Sequence, residues 1–281
     1  MSLTPALFKQ LQPKSYIDKF FQEGIRPDGR PITSQKSAQT VRQPRLNFGS
    51  ISTASSSCLV SLDKTTVLCG ITLETAPPNI TTPTQGFIVS NVDLPPLCSS
   101  MFKPGAPSAT SQILANKIQH ILLTSNIIDL SSLLIEASKA AFVVYVDIVC
   151  LSYDGALIDA ALLAVVGALS KLVLPEARYD EDEQIVICEP ISSEHPGRKL
   201  VLSDYPVSLS FATFQNKLLP DPTLFESTNA DSITTAIISS KDPERVYAFY
   251  RSGSNACSLE DMSECLLLAR EHAKNVRQLL A

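Results

Sequence analysis

The chain has 281 residues, 44% of them hydrophobic and 18% charged, with a formal net charge of −5. That length can bury one large core or two medium ones, so one to two domains are expected, and the mild acidity excludes a global basic field that would gather phosphates around an isolated chain. The seven cysteines are scattered, odd in number and never in a C-x-x-C pair, which excludes a disulfide framework and a zinc ribbon and points to a reducing compartment.

The start, MSLTPALFKQLQPKSY, places Lys9 and two prolines where an export signal needs an unbroken apolar run, so no export is expected. SYIDKFFQEG puts Ile17, Phe20 and Phe21 on one helical face and stops at Gly24, which predicts a short amphipathic helix, and the turn IRPDGRPI follows. The β-branched stretch Ser57 to Thr72, broken only at Asp63-Lys64, predicts two strands joined by a tight turn. A polar loop with three prolines leads to Phe87–Val89, which reads as extended. NVDLPPLCSS comes next, and its double proline predicts an extended, stiff loop over Leu94 to Leu97. Cys98 in that loop has no adjacent base or run of cations, so it is not expected to be a nucleophile.

SQILANKIQHILLTS carries Ile113, Leu114, Ile118, Ile121 and Leu122 at helical spacing, which predicts one core-facing helix. AFVVYVDIVCL reads as a strand apolar on both faces, Tyr153-Asp154-Gly155 as a turn, and Ala156 to Leu172 as an apolar helix. The apolar run Ala160 to Leu169 covers roughly 15 Å as a helix against the ~30 Å of a bilayer core, so it is expected to be buried in protein. The acidic run Asp180 to Glu183 and SSEHPGR mark the expected domain boundary. YPVSLSFATF alternates with Val207, Leu209 and Phe211 on one face, and SITTAIIS and ERVYAFYR are two more strand candidates. Ser258 with Asp261 gives a capping box for a C-terminal helix striped with Leu259, Met262, Leu266, Ala269, Ala273, Val276 and Leu280. Three heptads containing alanine point to a helix lying on its own sheet rather than to a coiled coil.

A self-contained catalytic site is hard to find. His120, His195 and His272 fall in three segments without metal-ligand spacing, and no Gly-rich phosphate loop exists, so no metal and no cofactor are expected. Asp221, Glu226 and Asp231 would suit acid/base or metal chemistry if they converged, but a solvated acidic loop is the expectation.

RPDGR (Arg26 to Arg30), GSISTASSSCLVSLDKTTVLCGI, NVDLPPLCSS, LSYDGALIDAALLAVVGAL and PDPTLFES, in this order and spacing, resemble the RNase PH family, and within it the ring subunits of the eukaryotic exosome. The resemblance runs from about Tyr16 to Ala281. It implies an α+β RNase PH-type fold of two β-sheet-plus-helix halves, like domain 2 of ribosomal protein S5. The expected division is an N-terminal helix and RPDGR turn (1–30), a first domain (31–190) and a second domain (191–281). It further implies a hexameric ring of paired RNase PH-like subunits, S1/KH-type cap proteins, associated nucleases, single-stranded RNA in the assembled channel and no membrane. The expected location is nucleus and nucleolus, also cytoplasm.

Active members of the family bind phosphate through a Thr-Arg after an Asp-Gly-Gly turn; here Asp154-Gly155 is followed by Ala156, Leu157 and Ile158. Where active members place RNA-gripping arginines at the start of the first-domain helix, this chain has Ala109 and Thr110. The matching acid pair becomes Glu226 and then Asp231 or Ser232. Phosphorolysis needs a positioned phosphate and fixed cations against developing charge, which an aliphatic pair does not supply. The resemblance therefore implies a non-catalytic subunit, the alternative being an active phosphate-dependent 3′→5′ exoribonuclease. Where related subunits carry a channel arginine this chain has Met101, and Lys103 two residues on is the candidate RNA contact, weighed against an ordinary exposed lysine. Arg26 and Arg30 are expected in structural ion pairs around their turn.

Overall fold

The computed structural model of the chain describes residues 5–32, 41–191, 195–215, 217–254 and 256–280. Two helices open it, α1 (Pro5–Leu11) and α2 (Pro13–Gln22). Proline at the first helical position suits α2, because no N–H is needed there, and Ile17 and Phe21 are its buried face. Phe20, expected on that face, is only partly buried.

The larger sheet is built from β1 (Arg45–Phe48), β2 (Ser56–Leu62), β3 (Thr65–Ala76), β4 (Phe87–Asp93), β5 (Leu134–Glu136) and β6 (Ala140–Ser152). Its order is β1-β2-β3-β6-β4, with β5 also paired to β6; β4 runs parallel to β6 and the other pairs are antiparallel. The β2–β3 hairpin turns at Asp63-Lys64 as expected, and Asp63 supplies the left-handed residue (φ 54°) that the missing glycine would have supplied. β4 continues through Asn91-Val92-Asp93, further than the sequence suggested, and the double proline then forms a turn rather than an extended run, closed by Cys98 N–H donating to the Pro95 carbonyl (3.0 Å). Leu94 and Cys98 are its buried anchors.

Helix α3 (Ala109–Ser125) packs against β4, and α4 (Leu157–Ser170) lies across β2 and β3. The Ser108 hydroxyl caps α3 by accepting from Ser111 N–H (3.1 Å). From Asp159 to Leu169 every residue of α4 is buried, as its sequence implies. Burying each leucine or valine of such a helix contributes about 1.5–3 kcal/mol.

Two short pairs follow. β7 (Val173–Leu174) pairs with β10 (Arg198–Lys199), and β8 (Ala177–Asp180) with β9 (Ile185–Cys188), the acidic run forming the hairpin turn between the latter two. The second sheet has β11 (Pro206–Phe214), β12 (Lys217–Pro220), β13 (Ser232–Ser239) and β14 (Val246–Gly253) in the order β12-β11-β13-β14, all antiparallel, with α5 (Leu224–Asn229) between β12 and β13. β11 is buried along its whole length instead of on one face. Leu209 and Phe211 pack towards helix α6 (Leu259–Leu280), while the Ser210 amide on the opposite face donates to Asp159 of α4 (2.9 Å). A sheet covered on both sides loses the alternation expected of a half-exposed one.

The capping box on α6 is present, Asp261 N–H donating to Ser258 Oγ (3.0 Å). The helix does lie on β11 and β13. Its buried face departs from the expected stripe in the first turns: Met262 and Leu266 are only partly buried, Cys265, Leu268 and Ala269 meet that sheet, and Ala273, Val276 and Leu280 join the core built around α4. Leu259, expected in the stripe, is 83% exposed because it is the first residue, short of the sheet contacts. Among the described residues no helix is long and apolar enough to cross a membrane.

Candidate functional site

The turn between β6 and α4 sits where the two sheets meet. Gly155 has φ +85°, and a Cβ there would come within 2.3 Å of the Pro222 carbonyl oxygen, so no other residue fits between this turn and the segment leading into α5. Ala156 follows in the left-handed region (φ 47°) as the N-cap of α4, without a side-chain cap. A methyl group in that conformation costs about 1–2 kcal/mol that glycine would not.

Beyond the turn opens a cavity of about 260 Å³, bounded by α3, the α4 N-terminus and the second sheet. Its walls include Ile113, Leu114, Leu157, Ile158 and Ile233, its polar groups are mainly hydroxyls, and among the described residues Lys117 is the one charged residue lining it. Ser210 and Thr235, at 3.0 Å, hydrogen-bond each other, and the Lys117 ammonium lies 5.0 Å from the centre of the Tyr250 ring. Ile113, expected in the core, is 55% exposed because this cavity opens under it. Thr110, where the resemblance places an RNA-gripping arginine, does line the cavity.

None of the three candidate acids lines it. Glu226 is fully buried and forms a bidentate pair with buried Arg26, Nε to Oε1 at 2.9 Å and Nη2 to Oε2 at 2.5 Å. It also closes a capping box on α5 by accepting from Thr223 N–H (2.9 Å). Asp221 is held by Arg42 (2.6 Å) and Arg30 (2.9 Å). Burial would raise the Asp221 pKa, but the hydrogen bonds and charge of Arg42, with the charge of Arg30, hold it below the usual carboxylate range. Asp231 pairs with Lys14 (2.9 Å). The expectation of a solvated acidic loop is thus wrong for Asp221 and Glu226, which are interior counter-ions to arginines more than 170 positions away. Glu226 is on a short helix, α5, rather than in a loop.

Arg26 and Arg30 do form ion pairs, Arg30 with Asp28 inside the turn (2.6 Å) but both arginines chiefly with the β12–α5 region. The histidines stay apart: His120 is 3.3 Å from the Tyr250 hydroxyl, His195 is 3.0 Å from Glu176, and His272 is on α6. No group of three or more His, Cys, Asp or Glu able to hold a metal occurs among the described residues. Burial raises the pKa of the Cys98 thiol, against a nucleophilic role. Lys103 is exposed in the loop between β4 and α3. Lys117 and its aromatic partner were missed in the sequence; the helical spacing that put Lys117 on the polar side of α3 was the available signal.

The pattern described as 3′ exoribonuclease family, domain 1, matches residues 40–175. Exosome complex component rrp43 of Schizosaccharomyces pombe is 35% identical over 270 residues, spanning 96% of each chain. The chain belongs to the RNase PH family. Another relative in the RNase PH family, exosome complex component Rrp42 of Pyrococcus abyssi, is 31% identical over 95% of this chain and 93% of its own. Among solved structures, a chain of the Archaeoglobus fulgidus exosome with RNA bound to the active site superposes with a TM-score of 0.80 at 28% identity, covering 95% of this chain and 97% of that one. A chain of an archaeal exosome core gives 0.75 at 25% identity, covering 95% of each. The RNase PH-type α+β fold, with two sheet-and-helix regions, is that of this chain.

Proposed function

We propose that this chain is a non-catalytic subunit of the hexameric ring of an RNA exosome core, supporting 3′→5′ RNA processing and degradation by nucleases bound elsewhere. The observation that carries the reading is the cavity at the start of α4, where Leu157 and Ile158 stand in place of a phosphate-binding pair and Lys117 is the single charged lining residue among those described. A transferring phosphoryl group needs several fixed donors and cations around it, and one ammonium on a flexible stem, already set over Tyr250, does not provide them. The acids that might have completed a site are engaged as counter-ions. The relatives named as exosome components, matched almost end to end, support the assembly.

In this reading the partners are other RNase PH-like ring subunits, S1/KH-type cap proteins and the associated nucleases, with single-stranded RNA passing through the assembled channel. A role in ribosomal-RNA maturation and RNA turnover would place the chain in the nucleus and nucleolus, also the cytoplasm. The functional division follows the three segments 1–30, 31–190 and 191–281. Lys103, exposed on the β4–α3 loop, is the RNA contact of this chain, a point charge on one phosphate. The test is purification from native extract with identification of the co-purifying chains, followed by RNA crosslinking of the intact complex with Lys103 or Lys103→Ala. RNase PH-like and S1/KH partners with crosslinks lost in the variant are expected. Recovery without ring subunits overturns the assembly, and unchanged crosslinks overturn the Lys103 assignment.

A further inference from the structure

Helix α2 is fastened to the second sheet by Ile17 and Phe21, which pack with Ala212, Phe214 and Leu219. Tyr16, Lys19 and Phe20 of the same helix stay outside that cluster and, with Pro5 and Phe8 of α1, line a cleft of about 350 Å³. Its three rings are half-buried. They meet edge-on or tilted, Phe8 to Tyr16 at 6.0 Å between centres and Tyr16 to Phe20 at 4.9 Å, and none lies flat on another. Ring faces so arranged are left for a planar guest. The Tyr16 hydroxyl makes no hydrogen bond among the described residues.

The cleft is also positive. Residues 5–22 carry Lys9, Lys14 and Lys19 against Asp18 alone, three charges less one, within a chain of net charge −5. Lys14 is paired with Asp231 (2.9 Å), and Asp18 accepts from Gln215 Nε2 (3.3 Å). Lys9 and Lys19 instead lie over rings, 4.3 Å from the centre of Phe225 and 4.4 Å from that of Phe8, and neither meets a carboxylate among the described residues. An ammonium held over a ring keeps its charge and its donors for an anion. Aromatic faces interleaved with such cations are the chemistry that seats bases and phosphates of a single strand. An extended peptide is a poorer guest, because its N–H and C=O groups need partners and the backbones of both helices are bonded internally. A partner helix would seek Leu7 and Leu11, which are exposed on α1 but are not part of the lining.

We infer that the α1–α2 hairpin seats one nucleotide of a single-stranded RNA, the base stacked on Phe8 and Phe20 with the Tyr16 hydroxyl at its edge, and the flanking phosphates on Lys9 and Lys19. This contact is separate from Lys103, which is on the loop between β4 and α3. The seat for a single strand follows from the cleft's own residues; that the strand is RNA rests on the function proposed above.

The test reads the hairpin itself. The full chain, in the complex that co-purifies with it, is treated with an amine-acylating reagent at increasing oligouridine concentration, and modification of Lys9 and Lys19 is measured by peptide mass. Both lysines are expected to be protected by the single strand and not by an RNA duplex. Phe8→Leu with Phe20→Leu keeps an apolar filling and is expected to raise the half-protecting concentration about tenfold, the effect of losing base stacking. In the wild type, protection is expected to weaken with salt as one or two phosphate contacts require, a slope of roughly 0.7 per lysine on logarithmic axes. Ultraviolet crosslinking of the wild-type complex, with adducts assigned by peptide, is expected to mark Pro5 to Gln22 separately from the Lys103 loop. Lysines unprotected by RNA, protection unchanged in the double phenylalanine variant, or Lys9 and Lys19 shielded by another protein chain with no RNA adduct on the hairpin overturns the inference. Ring subunits are identified in the same preparation: a ring without the hairpin contact sinks this inference alone, and hairpin protection without a ring sinks the proposed assembly alone.

Discussion

Glu226 is the acid whose position in the chain suggests catalysis and whose surroundings argue for stability, so its removal separates the two. Glu226→Ala leaves Arg26 fully buried with only the Pro220 and Asp221 carbonyls as acceptors. Two charge-assisted hydrogen bonds are lost, each worth about 1.5–3 kcal/mol, and the capping box on α5 goes with them, about 1 kcal/mol more. Not all of this is realised, because the arginine shifts and water enters. Removing one partner of a buried pair costs about 3–5 kcal/mol in general, and a loss of about 4 kcal/mol is the expectation here. Urea unfolding at low protein concentration measures it as a fall in midpoint at unchanged slope. The double variant Arg26→Met with Glu226→Leu is expected to lose less than either single change, since no uncompensated charge stays inside. A loss below about 1 kcal/mol for Glu226→Ala, or strictly additive single effects, would refute the reasoning.

Three further outcomes follow from the same geometry. Ala156→Gly is expected to raise stability by about 1 kcal/mol, read from the urea midpoint, because it relieves the left-handed N-cap of α4. Leu157→Thr with Ile158→Arg is expected to leave the chain inactive in a phosphorolysis assay, since Thr110 still occupies the arginine position and no acid among the described residues lines the cavity. Light scattering over a concentration series is expected to show the isolated chain self-associating, and co-expression with an RNase PH-like neighbour to yield a soluble one-to-one complex; the exposed apolar side chains Leu97, Met101, Val201 and Leu267 need cover.

Most of the fold was legible wherever a segment's own pattern decides its state. The apolar helix α4, the β2–β3 hairpin and the Ser258–Asp261 cap are local features, written in spacing and turn chemistry. The errors lie where distant chain decides. Nothing in YPVSLSFATF says that helices cover both faces, since Ser210 finds its partners, the Asp159 carboxylate for its amide and the Thr235 hydroxyl for its own, only after α4 and β13 arrive. The site divides the same way. The Leu157-Ile158 substitution was visible in the motif, but whether Asp221, Glu226 and Asp231 converge depended on arginines and a lysine far away in sequence. Asp159, buried in a helix that reads as uniformly apolar, carried no signal that its carboxylate would accept from the Ser210 amide of β11.

The account rests on an aliphatic wall standing where an attacking phosphate would have to bind. The purified chain, alone and paired with a ring neighbour known to be inactive, is incubated with a 3′-unpaired RNA and inorganic phosphate, and released nucleoside diphosphates are counted. No phosphate-dependent release above background is expected from either preparation. Phosphate-dependent release that disappears in Asp231→Asn, a change that leaves the buried Arg26–Glu226 pair intact, would contradict the account.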